Sequence, residues 1–545
     1  MESFKGYRWR YLFNEVKPPE GLVKRYGRFL AQLLANRGLD RPPVRGSEVD
    51  LSLLPDLEKA ASRILDFIAK GRPILLFGDY DVDGITSTAL LYKVLKKAGA
   101  KRVIPAVPER KEGYGLNPSV VKKFAYYSEG KGLLIALDNG TKELQTVELA
   151  QKLGLEVVII DHHTPADRLP PVPLVNPKTS PESPEFLKDL PTVGLVYLLA
   201  KFFETLGLEV EADRYLDLVA LGIVADVSPM SSLNARLVKE GLKLLDEGRA
   251  SAPGLALLAK QLRKKGPLSE HDLAFRFAPR LNSFGRMDRA RRGLKFLIAE
   301  DPRLADHLFR EMEELNRQRK KLAEAATRRV LRFFEKNPSK ALVYVAEDLR
   351  KGILGIVAGR VTATLGVPSV VLASDGKVAV GSSRAPEGVN VVEILKKLSP
   401  LLLRWGGHSQ AAGLTVALEN LEAFKEAFLE EVEKCRVEPP ELAVDFPASP
   451  AQLRSKPRLL ELLKVLQPYG PGNPFPTFVF DDTLEAFAST RYGYRIKLSQ
   501  SGWMNLNLDD DRRLPPRYRG RRVRVAFSVR NPDRADFEVE DFKPL

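Results

Sequence analysis

From residue 73 to residue 177 the chain alternates short apolar runs with helix-patterned stretches: PILLF, then 85 to 98; RVIPAV; GLLIALD, then 142 to 153; EVVIID; and PLVNP. Strand-length runs separated by helices predict a parallel sheet in a doubly wound α/β domain reaching to about residue 230. In such sheets, ligands gather beyond the carboxyl ends of the strands. The residues at those ends therefore carry the first information about chemistry.

Those ends are acidic. PILLF runs into Asp79, Asp81 and Asp83 of GDYDVDG, GLLIAL into Asp138-Asn139-Gly140, EVVII into Asp161-His162-His163, and the apolar LVALGIVA into Asp226. Each Asp taken singly reads better as a turn residue or helix cap. Within GDYDVDG, residues two apart on an extended chain face the same side, so the three carboxylates converge and repel unless a cation lies between them. An acidic turn capping the next helix accounts for that heptapeptide as well. Taken together, the segments predict one sheet edge with five or six carboxylates and two imidazoles, enough for two divalent ions.

Composition narrows the choice of ion and partner. One cysteine, Cys435, excludes an intramolecular disulfide and a Cys-based zinc site, and five histidines leave carboxylates as the main ligands, so Mn²⁺ or Mg²⁺ is expected. The formal charge of +15 suits a polyanionic partner. No apolar run spans a bilayer and MESFKGYRWRYLF lacks a secretory hydrophobic stretch, so no membrane association and a cytoplasmic location are expected.

GDYDVDG, LDNG, DHH and ADVSP resemble, in order, the four motifs of the DHH phosphoesterases. GSSRAPEG and RWGGHSQAAG resemble the motifs of the DHH-associated domain, and EGYGL, PRLN, LNRQR and YGPGNPFPTF point to the RecJ branch of that family. The resemblance covers nearly all of the chain past residue 30. It implies two ions, one held by Asp81 with Asp79, the other by Asp83, His162 and Asp226, with Asp138 bridging and a water between the ions attacking phosphorus in line. It places His163 on the scissile phosphate or the leaving 3′ oxygen, or behind His162 as its orienting partner. Phe77 stands where many relatives carry a metal-binding His, and Leu349-Arg350 where RecJ proteins often show Trp-His. Within that reading, Arg110, Asn282, Ser382, Ser383, Arg384, Gly406, Gly407 and His408 are expected to hold substrate, Arg110 and the Ser382-Ser383-Arg384 patch gripping a terminal phosphate.

Farther on, apolar residues at Leu308, Met312, Leu315, Leu322, Ala326, Val330 and Phe333 predict one long connecting helix over 304 to 336. A second α/β pattern follows (ALVYVA, VPSVVLA, KVAVGSS, a helix at 391 to 398). The last hundred residues alternate as strands. Tyr492, Tyr494, Ile496 and Leu498 form one face opposite Arg495 and Lys497, and Val523, Val525, Phe527 and Val529 oppose Arg522, Arg524 and Arg530. This resembles the C-terminal β-barrel, an OB-fold, of the RecJ branch and predicts a cationic DNA face.

The expected organisation is an N-terminal extension (1–50), a DHH catalytic domain (51–230), a helical region ending in the long helix (231–338), a DHH-associated domain (339–437) and an OB-fold-like domain (438–545). The resemblance implies a metal-dependent exonuclease that degrades single-stranded DNA from the 5′ end to mononucleotides in repair and recombination. A single-strand-binding protein or a helicase is a candidate partner. The rival readings are a DHH phosphoesterase for oligoribonucleotides, cyclic dinucleotides or pyrophosphate, and an inactive replication-scaffold relative.

Overall fold

The computed structural model describes residues 3–43, 49–113, 115–263, 266–287, 289–435, 439–490, 493–508 and 514–545. Tyr492, the arginines at 512 and 513, and the expected boundary at 437 and 438 lie outside them. Strand β1 (Arg8–Tyr11) and the helix Glu20–Ala35 come first. The apolar runs of the next segment form β2 (Ile74–Phe77), β3 (Val103–Ala106), β4 (Leu133–Leu137), β5 (Glu156–Ile160) and β6 (Leu174–Val175). All pair in parallel in the order β3-β2-β4-β5-β6. Side chains alternate between two cores: Leu76, Ile135 and Ile160 meet the helices Val82–Lys97 and Thr192–Thr205, while Leu75, Phe77 and Ile159 meet Val121, Phe124 and Val147 on the other face. The strand order reverses between β2 and β4, so a crevice opens between the loops that follow those two strands.

One expectation changes here. LVALGIVA is not a strand but the core of the helix Leu216–Ala225, with Leu216 to Val224 all buried. A helix enclosed on every side shows no periodicity to distinguish it from a buried strand. Asp226 therefore arrives at the sheet edge from the end of a helix.

The connecting helix spans Pro302–Lys336, started by Asp301, whose side chain accepts from Arg303 N, and by Pro302 in its first turn. Its buried stripe uses Leu308, Met312, Asn316, Ala323, Ala326, Thr327 and Val330; Leu322 and Phe333, expected in the stripe, are 37% and 40% exposed. Beyond it, β7 (Leu342–Ala346), β8 (Ser369–Ser374), β9 (Val378–Arg384), β10 (Leu402–His408) and β11 (Ala411–Ala417) form a mixed sheet in the order β10-β11-β9-β8-β7. Phe77 is buried in the core on the second face of the parallel sheet, and Leu349 is buried beside the helix Leu354–Leu365.

The C-terminal region contains β12 (Glu441–Val444), β13 (Phe446–Pro447), β14 (Thr477–Thr490), β15 (Gly493–Leu498), β16 (Gly502–Asn507), β17 (Arg522–Asn531) and β18 (Asp536–Pro544). Pairings run β14-β15-β16-β18-β17 and return to β14, a closed ring of the kind an OB-type barrel requires. Its core is not built from C-terminal residues alone. Leu30, Leu33 and Leu34 of the N-terminal helix pack against Phe478, Leu484 and Leu463, and β1 pairs in parallel with β12. The segment expected as an N-terminal extension is thus a structural part of the last domain. Among the described residues, no helix is long and apolar enough to cross a membrane.

Candidate active site

The GDYDVDG loop turns sharply because its two glycines allow it. A Cβ on Gly84 would lie 2.5 Å from the Asp79 backbone, and one on Gly78 would lie 2.1 Å from Thr88 Oγ1. The loop folds back on the first turn of the helix Val82–Lys97. Asp81 is the N-cap of that helix and accepts from Gly84 N at 3.1 Å, so it does the capping that its sequence context also predicts. Asp83 is fixed by another helix start: its oxygens accept from the backbone N–H groups of Thr192 (2.8 Å) and Val193 (3.0 Å). Asp138, just past β4, has φ 62°, a left-handed conformation that costs an ordinary residue about 1–2 kcal/mol and is stored where structure over-determines it. Its N–H donates to Ile160 O at 3.1 Å, which ties it to the end of β5.

These elements bring the predicted ligands together. His162 Nε2 stands 3.3 Å from Asp138, 3.9 Å from Asp226 and 4.0 Å from Asp83. Ligand atoms of Asp79, Asp81 and Asp138 lie within 4.8 Å of one another, as do those of Asp138, His162 and His163. Asp138 is common to both groups. Burial, then the charges of its neighbours, pushes Asp79, Asp83 and Asp138 well above the usual carboxylate range. Asp226 is pushed up to about 6, chiefly by burial, with Ser228 opposing and Asp81 adding. Asp79 Oδ1 is buried with no hydrogen-bond partner. Crowded, buried acids with an orphaned oxygen fit divalent cations, which relieve the repulsion and fill the vacant acceptor.

Asp161, the acid of the DHH tripeptide, serves the site differently. It accepts from the N–H groups of His162 (2.8 Å), His163 (3.2 Å) and Thr141 (3.1 Å), and lies 2.7 Å from His163 Nδ1. Burial opposes its ionisation, yet the hydrogen bond and charge of His163 hold it far below the carboxylate range. Conversely, burial would lower His163, but Asp161 raises it above the ordinary histidine value. His162 is held down to about 3 by burial and by the charge of His163, which leaves the neutral imidazole that ligates metals.

The acids share their cavity with cations. Asp79, Asp81, Asp83 and Asp226 line one cavity of about 330 Å³ with Arg110, Asn282, Arg286, Lys351, Ser382 and Arg384. Arg110 lies over the Tyr80 ring at 4.3 Å and donates to Gly285 O; Arg286 donates to Gly352 O and Arg384 to Ser383 O. None of the three guanidiniums forms an ion pair with a carboxylate among the described residues. Burial, then the charges of Arg110, Arg319 and Arg384, pulls Arg286 down to about 10. Guanidiniums in a cavity with no carboxylate in ion-pair contact suit an anion.

The predicted substrate residues divide. Arg110, Asn282, Ser382 and Arg384 line the cavity, whereas Ser383 is fully buried, because strand alternation on β9 turns it away from its two neighbours. Gly406, Gly407 and His408 are exposed on β10 and line no part of that cavity. Partial burial first, then the charge of His163, lowers His408. Arg286 and Lys351 were not foreseen. Arg286 was legible, since it lies one helical turn after Asn282 on the helix Ala278–Arg286 and shares its face.

On the terminal barrel, Arg495 lies over Trp503 at 5.4 Å and Arg454 over Phe537 at 4.9 Å, and Arg522 is exposed. The other predicted cations have acidic partners: Lys497 with Glu485 (2.9 Å), Arg524 with Asp481 (2.6 Å), and Arg530 with Glu538 (3.2 Å) and Glu540 (2.8 Å). Spacing along one strand cannot reveal acids on the next.

A doubly wound sheet with crowded acids at its switch point, followed by a second α/β unit, defines the DHH class. Residues 73–223 match the DHH family, N-terminal domain, and residues 338–434 match the DHHA1 domain. The chain is 36% identical over 438 residues to the single-stranded-DNA-specific exonuclease RecJ of Thermus thermophilus (79% of this chain, 62% of that protein). It is 31% identical to the Bacillus subtilis protein (78% and 54%) and 32% identical to the Escherichia coli protein (78% and 78%). The chain thus spans less than two thirds of the first two relatives. The fold superposes on the crystal structure of Thermus thermophilus RecJ with Mn²⁺ at TM-score 0.84 and 30% identity, covering 99% of this chain and 80% of that one. The chain belongs to the RecJ family.

Proposed function

We propose that the chain is a two-metal exonuclease that hydrolyses single-stranded DNA from the 5′ end to mononucleotides, in repair and recombination. The observation that carries this reading is the one cavity lined both by Asp79, Asp81, Asp83 and Asp226 and by Arg110, Arg286, Arg384 and Ser382. A terminal phosphate bound by the guanidiniums presents the next phosphodiester to the acids, which favours an end over an interior position.

Asp79 and Asp81 would hold one cation, Asp83, His162 and Asp226 the other, and Asp138 would touch both. When bound, such a pair supplies Lewis acidity to the attacking water and to the phosphoryl oxygens. The chain's own groups do the rest. Asp161 fixes the orientation of His163 by accepting from Nδ1, so Nε2 can present a proton to the scissile phosphate or to the leaving 3′ oxygen. Asp161 acts by positioning. The backbone N–H groups of Thr192 and Val193 keep Asp83 aimed at the cleft. The exposed Arg495–Trp503 pair on the barrel offers a stacking and cationic surface to the strand that follows. The chain's single-strand-binding or helicase partner is part of the same proposal.

The test is hydrolysis of single-stranded DNA labelled at its 5′ or 3′ end, with Mn²⁺, beside duplex DNA, RNA oligomers and pyrophosphate. Prompt release of a labelled mononucleotide from the 5′ end alone supports the reading. Asp138→Ala should abolish that release while leaving single-strand binding in place, because the barrel and the guanidiniums are untouched. Turnover of pyrophosphate but not of DNA would favour the small-substrate phosphoesterase.

A further inference from the structure

The segment QPYGPGN, residues 467 to 473, belongs to the C-terminal domain, where Tyr469 is buried in the domain's core, and it also contacts residues outside that domain. The Pro471 carbonyl accepts from Met230 N at 2.7 Å, and Glu270 Oε1 accepts from Tyr469 N at 3.0 Å. Both contacts reach supports of the catalytic cleft. Met230 lies four residues after the metal-site acid Asp226, and Glu270 opens the helical stretch that continues into the helix bearing Asn282 and Arg286.

The Asp226 side needs such an anchor. The helix Leu216–Ala225 ends in a Schellman pattern: Val227 N donates to Val224 O and Ser228 N donates to Ile223 O. The left-handed position of that motif is normally glycine. Here it is Val227, at φ 61°, a β-branched residue in a conformation its side chain resists, and at 67% exposure its own packing does not hold it. Within the turn, Ser228 Oγ donates to Asp226 Oδ2 at 2.6 Å, and the remaining support comes from the flanks. Upstream is the helix; downstream, Pro229 O accepts from Asn234, and Met230, 5% exposed, is pinned by the loop. Gly470 packs so closely that a Cβ there would lie 2.7 Å from Met230 Cγ.

The loop is rigid enough to act as an anchor. Asn473 Nδ2 donates to Leu466 O (2.7 Å) and Pro468 O (2.9 Å), and Gly470 and Asn473 exchange backbone hydrogen bonds. Arg37, from the N-terminal helix, donates to Asn473 Oδ1 (3.1 Å) and Pro474 O (2.8 Å).

We infer that the 467–473 loop is a positioning element: the C-terminal domain uses it to set Asp226 and, through Glu270, the Arg286 helix. The inference rests on the reading of Asp226 as a metal ligand. The experiment measures Mn²⁺ affinity by electron paramagnetic resonance on the full chain, without substrate. Gly470→Ala should weaken Mn²⁺ binding about tenfold, the lower end for loss of support behind a ligand. Adding Met230→Ala to the same chain, which clears room for the new methyl, should restore it. Unchanged Mn²⁺ affinity in a Gly470→Ala protein with native circular dichroism and melting would overturn the inference, as would loss without rescue. If Gly470→Ala fails to fold, Asn473→Ala, which removes the side-chain bonds to Leu466 O and Pro468 O, carries the same expectation. Weakened Mn²⁺ binding in a protein that releases no nucleotide would retain this inference and sink the nuclease reading instead.

Discussion

Arg286 should destabilise the protein that contains it. Its guanidinium is held down from 12.5 to about 10, so its charged form is disfavoured in the fold at every pH below that value, by about 3 kcal/mol at 1.36 kcal/mol per unit. Its hydrogen bond to Gly352 O returns about 1 kcal/mol. Replacing it with methionine, which fills similar space without the charge, should therefore raise stability by about 2 kcal/mol, or roughly 4–8 °C for a domain of this size. Calorimetry in chloride buffer, then with inorganic phosphate or a 5′-phosphorylated dinucleotide, separates the two sides of the trade. The variant should melt higher in chloride, but phosphate should stabilise the wild type more. A variant that melts at or below the wild type in chloride would mean the guanidinium is held at no net cost, and the argument that the cavity is poised for an anion would fall.

Arg384→Ala should narrow the rate difference between 5′-phosphorylated and 5′-hydroxyl ends, read by single-turnover cleavage of matched oligonucleotides; equal loss on both would reassign it to general binding. Glu270, buried and pushed up to about 7, has a folded pKa above its unfolded one, so its contribution is full below pH 4.5 and lost as pH rises through 7. Between those limits the wild type should lose about 3 kcal/mol relative to Glu270→Gln, measured by urea unfolding at several pH values; parallel profiles would refute it. Deleting residues 438–545 alone should give an aggregating chain with poor Mn²⁺ binding, since Leu30, Leu33 and Leu34 lose their core and Met230 loses Pro471. A soluble truncated protein with native metal affinity, judged by gel filtration and titration, would contradict both contacts.

The parallel sheet was legible because each strand is a short apolar run flanked by turn residues and followed by a helix of clear period. The acids at its edge were legible for the same reason: the fold rule says where strand ends go. What escaped reading depends on residues distant in sequence. LVALGIVA carries no period because every side of it is buried. Ser383 sits beside two cavity residues but faces the core, which only strand alternation on β9 decides. Lys497, Arg524 and Arg530 looked like a free cationic face until the neighbouring strands supplied Glu485, Asp481 and Glu538. The tie between the first helix and the last domain has no local mark at all.

That tie orders events during synthesis. Arg37 pairs with Asp445 across a separation of 408 residues, so at 5–20 residues per second the N-terminal helix waits roughly 20–80 s for its partner to be made. Through that interval Leu30, Leu33 and Leu34 are exposed on the nascent chain while the catalytic sheet, whose strands lie close together in sequence, can already form. The carboxylate cluster thus assembles well before the loop that pins Met230 exists, and an emerging chain carries its crowded acids before it carries the support that sets them.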